Sequence, residues 1–169
     1  MQTNIETSIE IDAPAALVWS VLVDFDAYFE WNPFVLGIQG PTIPGERLRV
    51  SIRPPGSRSM TFKPRVLNVA GGRELRWLGR FLLPGLFDGE HYFRLEPIGA
   101  SRVRFVHGES FSGLLVGLAK DSLLESTREG FDEMNRALKR RSESLRASMC
   151  RGDAKRVEAT RSTQHLVAA

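Results

Sequence analysis

The feature that most constrains this chain is a long, one-sided helix candidate, Gly113 to Arg146, that follows a run of strand-like segments. At roughly 100° per residue, Val116, Leu123, Leu124, Thr127, Phe131, Met134, Leu138 and Leu145 fall within one apolar sector. Glu125, Glu129, Asp132, Glu133, Arg136, Arg140 and Glu143 lie opposite. A stripe of this length needs a large apolar partner, and the preceding strands are the segments that supply one. A single helix laid across a curved sheet can enclose space, so the pattern predicts a ligand cavity without specifying its ligand.

The 169 residues, 42% hydrophobic and 25% charged, suffice for one domain with a real core. We expect that domain to span residues 1–146, with a basic, disordered tail over 147–169. The calculated pI near 9.4 invites a nucleic-acid reading. The charge is in the wrong place for it. Residues 1–135 carry 14 Lys/Arg against 17 Asp/Glu, whereas residues 136–169 carry 9 against 3. Lys139-Arg140-Arg141 and the Arg151 to Gln164 segment read as a frayed helix end and a solvated tail, so no nucleic-acid partner is expected. No apolar run reaches the roughly 18 residues of a membrane span, and Met1 to Glu10 lacks a signal-peptide pattern. The expectation is a cytoplasmic protein, monomer or homodimer, without stable membrane insertion. A single cysteine, Cys150, reads as an exposed, reduced thiol.

Ile5 to Ile11 alternates as a strand, with Ile5, Ile9 and Ile11 on one side. A helix follows, with Asp12 near its N-cap, Pro14 in its first turn and Leu17, Val18, Val21 and Leu22 as its buried stripe. A second short helix is predicted over Asp24 to Trp31, capped by Asp24 or Asp26 and ended by Pro33. Strands are predicted near Phe34 to Gln39, Arg47 to Arg53, Met60 to Val69, Glu74 to Arg80, Gly89 to Glu96 and Arg102 to Phe111. Short Gly/Pro-rich turns between them imply an antiparallel meander.

This order of motifs resembles a known family. Val18-Trp19, Asp24-Phe25-Asp26, Trp31-Asn32-Pro33-Phe34, the Gly45 turn and Leu75-Arg76-Trp77 occur in sequence. His91 to Pro97, Phe111-Ser112-Gly113-Leu114 and Phe131-Asp132-Glu133-Met134-Asn135 follow. Together they are similar to the START-like, SRPBCC superfamily in its polyketide cyclase/dehydrase-type branch, over about residues 3 to 145. The resemblance implies an α+β helix-grip fold: a seven-stranded antiparallel sheet curved around the long C-terminal helix, with two short helices after the first strand. Members bind lipids, sterols or hormones, cyclise polyketides or assist chaperones, so the fold leaves function to the site.

Alternation puts His91, Phe93 and Leu95 on one face of their strand, and Val103, Phe105, His107, Glu109 and Phe111 on one face of the next. Trp77 sits with Leu75 by the same rule. If the last two strands are neighbours, His91, His107 and Glu109 converge on one wall. Three chemistries suit that trio. They can be polar core or pocket groups that satisfy one another or anchor a ligand. Glu109 or His107 can act as general base in cyclisation or dehydration. Two histidines and a carboxylate also match a metal's donor types, but without a tighter motif no metal site or cofactor is expected. Ser/His/Asp and Cys/His catalysis and phosphate-binding Gly-rich loops have no signature here.

The candidate ligand-binding set is Trp31, Phe34, Trp77, His91, Phe93, Phe105, His107, Glu109, Phe111, Lys120, Leu124, Thr127, Phe131 and Met134. Lys120 falls inside the apolar sector, as a snorkelling stem or a cation at a pocket mouth. Phe81 to Phe87 is too apolar for an ordinary loop and reads as a lid, with Leu114, Leu115 and Leu118 as an apolar rim. The expected function is binding or carriage of a small hydrophobic or amphipathic molecule, lipid-like or polyketide-like. The alternatives are a cofactor-independent cyclase/dehydratase and a chaperone-associated interaction domain. A void beneath Phe131 and Met134 favours the first two readings, and a filled interior favours the third.

Overall fold

The computed structural model describes residues 2–81, 87–114 and 121–167. The chain begins with β1 (Gln2–Ile11), α1 (Ala15–Val23), a 3-10 turn (Phe25–Ala27) and α2 (Tyr28–Trp31). Next come β2 (Val35–Gln39), β3 (Arg49–Ile52), β4 (Met60–Phe62), β5 (Arg65–Ala70) and β6 (Glu74–Phe81). The chain continues through β7 (Phe87–Gly99) and β8 (Arg102–Ser112) to α3 (Asp121–Val167).

The strands form two antiparallel sheets, β1-β8-β7-β6-β5 and β2-β3-β4, rather than the expected seven-stranded one. The difference arises at Pro64, inside what reads as a single strand from Met60 to Val69. Proline lacks the N–H that a continuous ladder needs, so β4 ends at Phe62 and β5 starts at Arg65. Backbone bonds bind the sheets at this break: Leu48 donates to the Pro64 carbonyl at 2.9 Å, and Val66 to that of Glu46 at 2.8 Å.

The second predicted helix is likewise divided, into the 3-10 turn and α2, and neither aspartate caps it through its side chain. Asp12 does not cap α1, whose first turn bonds to the Pro14 carbonyl. Asp12 is drawn away by Arg102, which meets its carboxylate at 3.1 Å, and its backbone N–H donates to Glu143 at 2.9 Å.

The apolar stripe of α3 covers β1 and the sheet interior. Phe131, Met134 and Leu138 have no accessible surface and Thr127 is buried, whereas Leu145 is 36% exposed and departs from the expected stripe. The polar flank of α3 fastens the helix to β1, an edge strand. Arg128 donates to the Glu6 carbonyl, Lys139 to that of Glu10 and Arg146 to that of Asp12. The bonds to Glu6 and Glu10 occupy backbone acceptors that an open strand edge would otherwise expose. The basic run is thus not a fraying end. Lys139 also pairs with Glu143 at 2.7 Å and Arg141 with Glu30 at 2.8 Å, and helix continues to Val167, past the Arg146 boundary expected from sequence. No proline interrupts 147–167, where Ala147, Arg151, Ala154, Lys155, Arg156, Ala159 and Arg161 favour helix. No helix among the described residues is long and apolar enough to cross a membrane. Cys150 is exposed and unpaired with another cysteine.

Gly130 lets α3 approach Phe34, just before β2. A Cβ there would overlap the buried Phe34 ring, which packs on Phe131 at 5.5 Å. Gly130→Ala gains about 1 kcal/mol of helix propensity. Overpacking costs about 1–3 kcal/mol, so a net loss of stability is expected in chemical denaturation. An alanine variant more stable than the parent would show that Phe34 has room to move.

Candidate functional site

The register of the large sheet builds the site. Trp77, His91, Glu109 and Ile5 are successive cross-strand partners, and Leu75, Phe93, His107 and Thr7 form the next rung on the same face. Sheet order therefore brings His91, His107 and Glu109 together, as adjacency of the last two strands predicts.

They form a line rather than a cluster around one point. Glu109 Oε2 lies 3.5 Å from His91 Nδ1. The opposite nitrogen of His91, Nε2, is 3.2 Å from His107 Nε2. His107 Nδ1 lies 3.1 Å from Asn135 Oδ1, and Asn135 Nδ2 donates to Thr7 Oγ1 at 2.9 Å. The Thr7 hydroxyl donates to the His107 carbonyl at 3.3 Å and closes the chain. Because Glu109 and His107 address different nitrogens of His91, the three do not converge on one ion, and no group of three or more ligating side chains among the described residues could hold a metal.

Aromatic rings sheathe this polar line. His91 stacks on Trp77 with centroids 4.7 Å apart and planes 6° off parallel, while His107 stacks on Phe131 at 3.7 Å and 16°. Phe93 meets both imidazoles edge-on at 4.9 and 4.8 Å, and Phe34 and Phe105 close on His107. Burial, followed by the neighbouring His91, holds the His107 pKa well below its ordinary value of 6.5, so His107 is a neutral imidazole.

Exposure falls along the line. The Glu109 side chain retains 20% of its surface and that of His91 8%, whereas His107 has none. Phe111 is buried near Glu109, and Leu124 is half-buried. At this end of the sheet Phe81 pairs with Phe87 and Asp88 with Ser112.

The other expected residues separate into two groups. Phe34, Trp77, Phe93, Phe105, Phe131 and Met134 surround or adjoin the polar line, but at the level of Phe131 and Met134 the interior is filled. A water-sized void against either would give it accessible surface, and neither has any. Among the described residues, neither therefore borders the cavity expected beneath them. Trp31 stands apart from the line, in the wall between two surface hollows of about 340 and 350 Å³, one bounded by Phe29, Asn32 and Arg53, the other by Ala137 and Arg140. Lys120, Leu115, Leu118 and the lid segment Leu82 to Leu86 lie outside the described residues, and Leu114 is exposed.

Asn135 and Thr7 were not in the expected set. Their signals are present in the sequence: Asn135 lies four residues after Phe131 on the same helix face, and Thr7 shares the alternation of Ile5, Ile9 and Ile11. Amphipathicity reading passes over both because each is polar on an apolar face.

An antiparallel sheet gripping a long helix, with one polar line through an aromatic interior, defines the helix-grip class of domains. Residues 2–143 match the family model "Polyketide cyclase / dehydrase and lipid transport", and the chain belongs to that family, within the START-like, SRPBCC superfamily. A START superfamily protein from Mycobacterium smegmatis shares the fold at a TM-score of 0.64, with 21% identity over 84% of this chain and 98% of that one. The Zhui aromatase/cyclase from Streptomyces sp. R1128 superposes at 0.55, with 19% identity over 92% and 95%. One part of the di-domain aromatase/cyclase StfQ of the steffimycin pathway superposes at 0.63, with 12% identity over 87% of this chain and 52% of StfQ. These likenesses are of fold. No curated protein matches the sequence.

Proposed function

We propose that this protein binds a small hydrophobic or amphipathic molecule at the Glu109 end of the sheet, between Glu109, Phe111 and Leu124. The observation that carries this reading is the exposure gradient. A buried polar chain sheathed in aromatics emerges at one partly accessible carboxylate. Apolar walls with a few placed polar groups suit an amphipathic ligand, and the family's cyclase and lipid-transport membership points the same way. His91, Glu109 and their aromatic neighbours orient the ligand.

A cyclase or dehydratase is the catalytic variant, with Glu109 as general base. His107, the other candidate base, has no accessible surface and both ring nitrogens engaged, which favours Glu109. Glu109→Gln separates the variants. A catalyst should lose turnover by about 100-fold or more, whereas a carrier should mainly change affinity.

Native mass spectrometry of the expressed protein tests binding directly. A co-purifying small molecule released on denaturation is expected. The filled interior beneath Phe131 favours the interaction-domain reading instead, and a protein that carries nothing and takes up no amphipathic probe would decide for it.

A further inference from the structure

The direction of the polar chain follows from its buried end. The His107 carbonyl can only accept, so the Thr7 hydroxyl donates to it and offers its lone pairs to Asn135. Asn135 therefore gives Nδ2–H to Thr7 and turns Oδ1 toward His107 Nδ1. The Phe131 backbone carbonyl meets the same imidazole as a second acceptor. Neither group can donate to the ring, so neutral His107 carries its proton on Nδ1 and has only a lone pair at Nε2. His91 Nε2, 3.2 Å away, must then be the donor. With Nε2–H directed inward, His91 turns Nδ1 to Glu109 Oε2. A hydrogen bond between these two groups requires one proton, on His91 beside a carboxylate or on Glu109 beside a lone pair.

We propose that Glu109, His91, His107, Asn135 and Thr7 form a one-way hydrogen-bond relay with a single exchangeable proton at its Glu109–His91 end, which makes Glu109 Oε1 the acceptor for a ligand hydroxyl. In both proton placements Oε1 accepts, as a carboxylate oxygen or as the carbonyl of the acid. Oε1 lies over Gly89, where a Cβ would collide with it, so glycine at 89 leaves the carboxylate its position. Among the described residues, the titratable groups facing His91 are Glu109 and His107, both from β8; Trp77 of β6 and Phe131 of α3 contribute only rings. His107, Asn135 and Thr7 are positioning residues: they hold His91 in one tautomer and touch no ligand. The ligand clause rests on the binding function proposed above, whereas the relay stands independently of it.

Two measurements on the full chain test this. In long-range 1H–15N correlation spectra from about pH 5 to 8, His107 should remain the Nδ1–H tautomer and His91 should stay protonated at Nε2. His107 protonated at Nε2 would mean that the relay runs the other way, and would overturn the proposal. In the second measurement, 1-naphthol should bind at least about 10-fold more tightly than 1-methoxynaphthalene, which cannot donate. Gly89→Ala, which displaces the carboxylate, and Glu109→Leu, which removes it, should each abolish that preference. Equal affinity of the two probes for the parent protein would overturn the assignment of Glu109 as acceptor. Expected tautomers with no binding of either probe would leave the relay standing and overturn the ligand clause together with the binding function.

Discussion

Phe131→Ala should lower the unfolding free energy by about 3–5 kcal/mol, the range for removing a fully buried aromatic ring. Phe131 has no accessible surface, stacks on His107 at 3.7 Å and meets Phe34 and His91 edge-on at 5.5 and 5.3 Å. Its loss would leave a cavity against two imidazoles and release Phe34, so packing and polar order should fail together. Urea denaturation, with the midpoint shifting at constant slope, measures the effect. Phe131→Leu should recover part of it by refilling the volume. A loss under about 1 kcal/mol would contradict the packed interior described for this level.

Stability should also fall steeply on mild acidification. His107 is held well below its ordinary 6.5 by burial and by His91, so the unfolded chain takes up a proton that the native state refuses. The native advantage is fully present above about pH 6.5 and declines as pH falls below it, by up to about 1.4 kcal/mol per unit, until the native pKa is reached. Glu74 and Glu143, whose carboxyls are lowered from 4.5 chiefly by hydrogen bonds from Arg76 and Lys139, add an acid limb only at lower pH. Unfolding free energies at pH 7, 6 and 5 should therefore decline, and His107→Gln should flatten this limb whatever its baseline stability. A parent protein equally stable at pH 7 and 5 would refute the buried neutral imidazole.

The inward faces of β7 and β8 were legible because a strand's side chains alternate, so that Phe93, Phe105 and Phe111 mark the side on which His91, His107 and Glu109 must lie. The closing helix was legible at Phe131, Met134 and Leu138 for the corresponding reason at helical spacing. Asn135 and Thr7 were not, because periodicity reading weighs hydrophobicity and each is a polar residue on an apolar face. Their burial is tolerable only because each finds a partner more than a hundred positions away in the chain, or on another element. The break at Pro64 was visible as a residue but not as a division of the sheet, since it depends on the ladder position in which the missing N–H falls.

The chain's alternations and its long amphipathic stripe thus dictate the elements, their faces and the aromatic lining, because these follow from local geometry and from burial of apolar surface. Register, by contrast, is a property of pairs of strands. It sets His91 opposite Glu109 and His107 opposite Thr7, and the docking of α3 brings Asn135 to the inner end of that line. The same docking fills the space beneath Phe131, where the sequence predicts a cavity, and leaves Glu109 at the accessible end. Hydrogen bonds work over about 3 Å and have a direction, so whether three polar residues make a metal site, a base or a relay is settled only when the elements are packed.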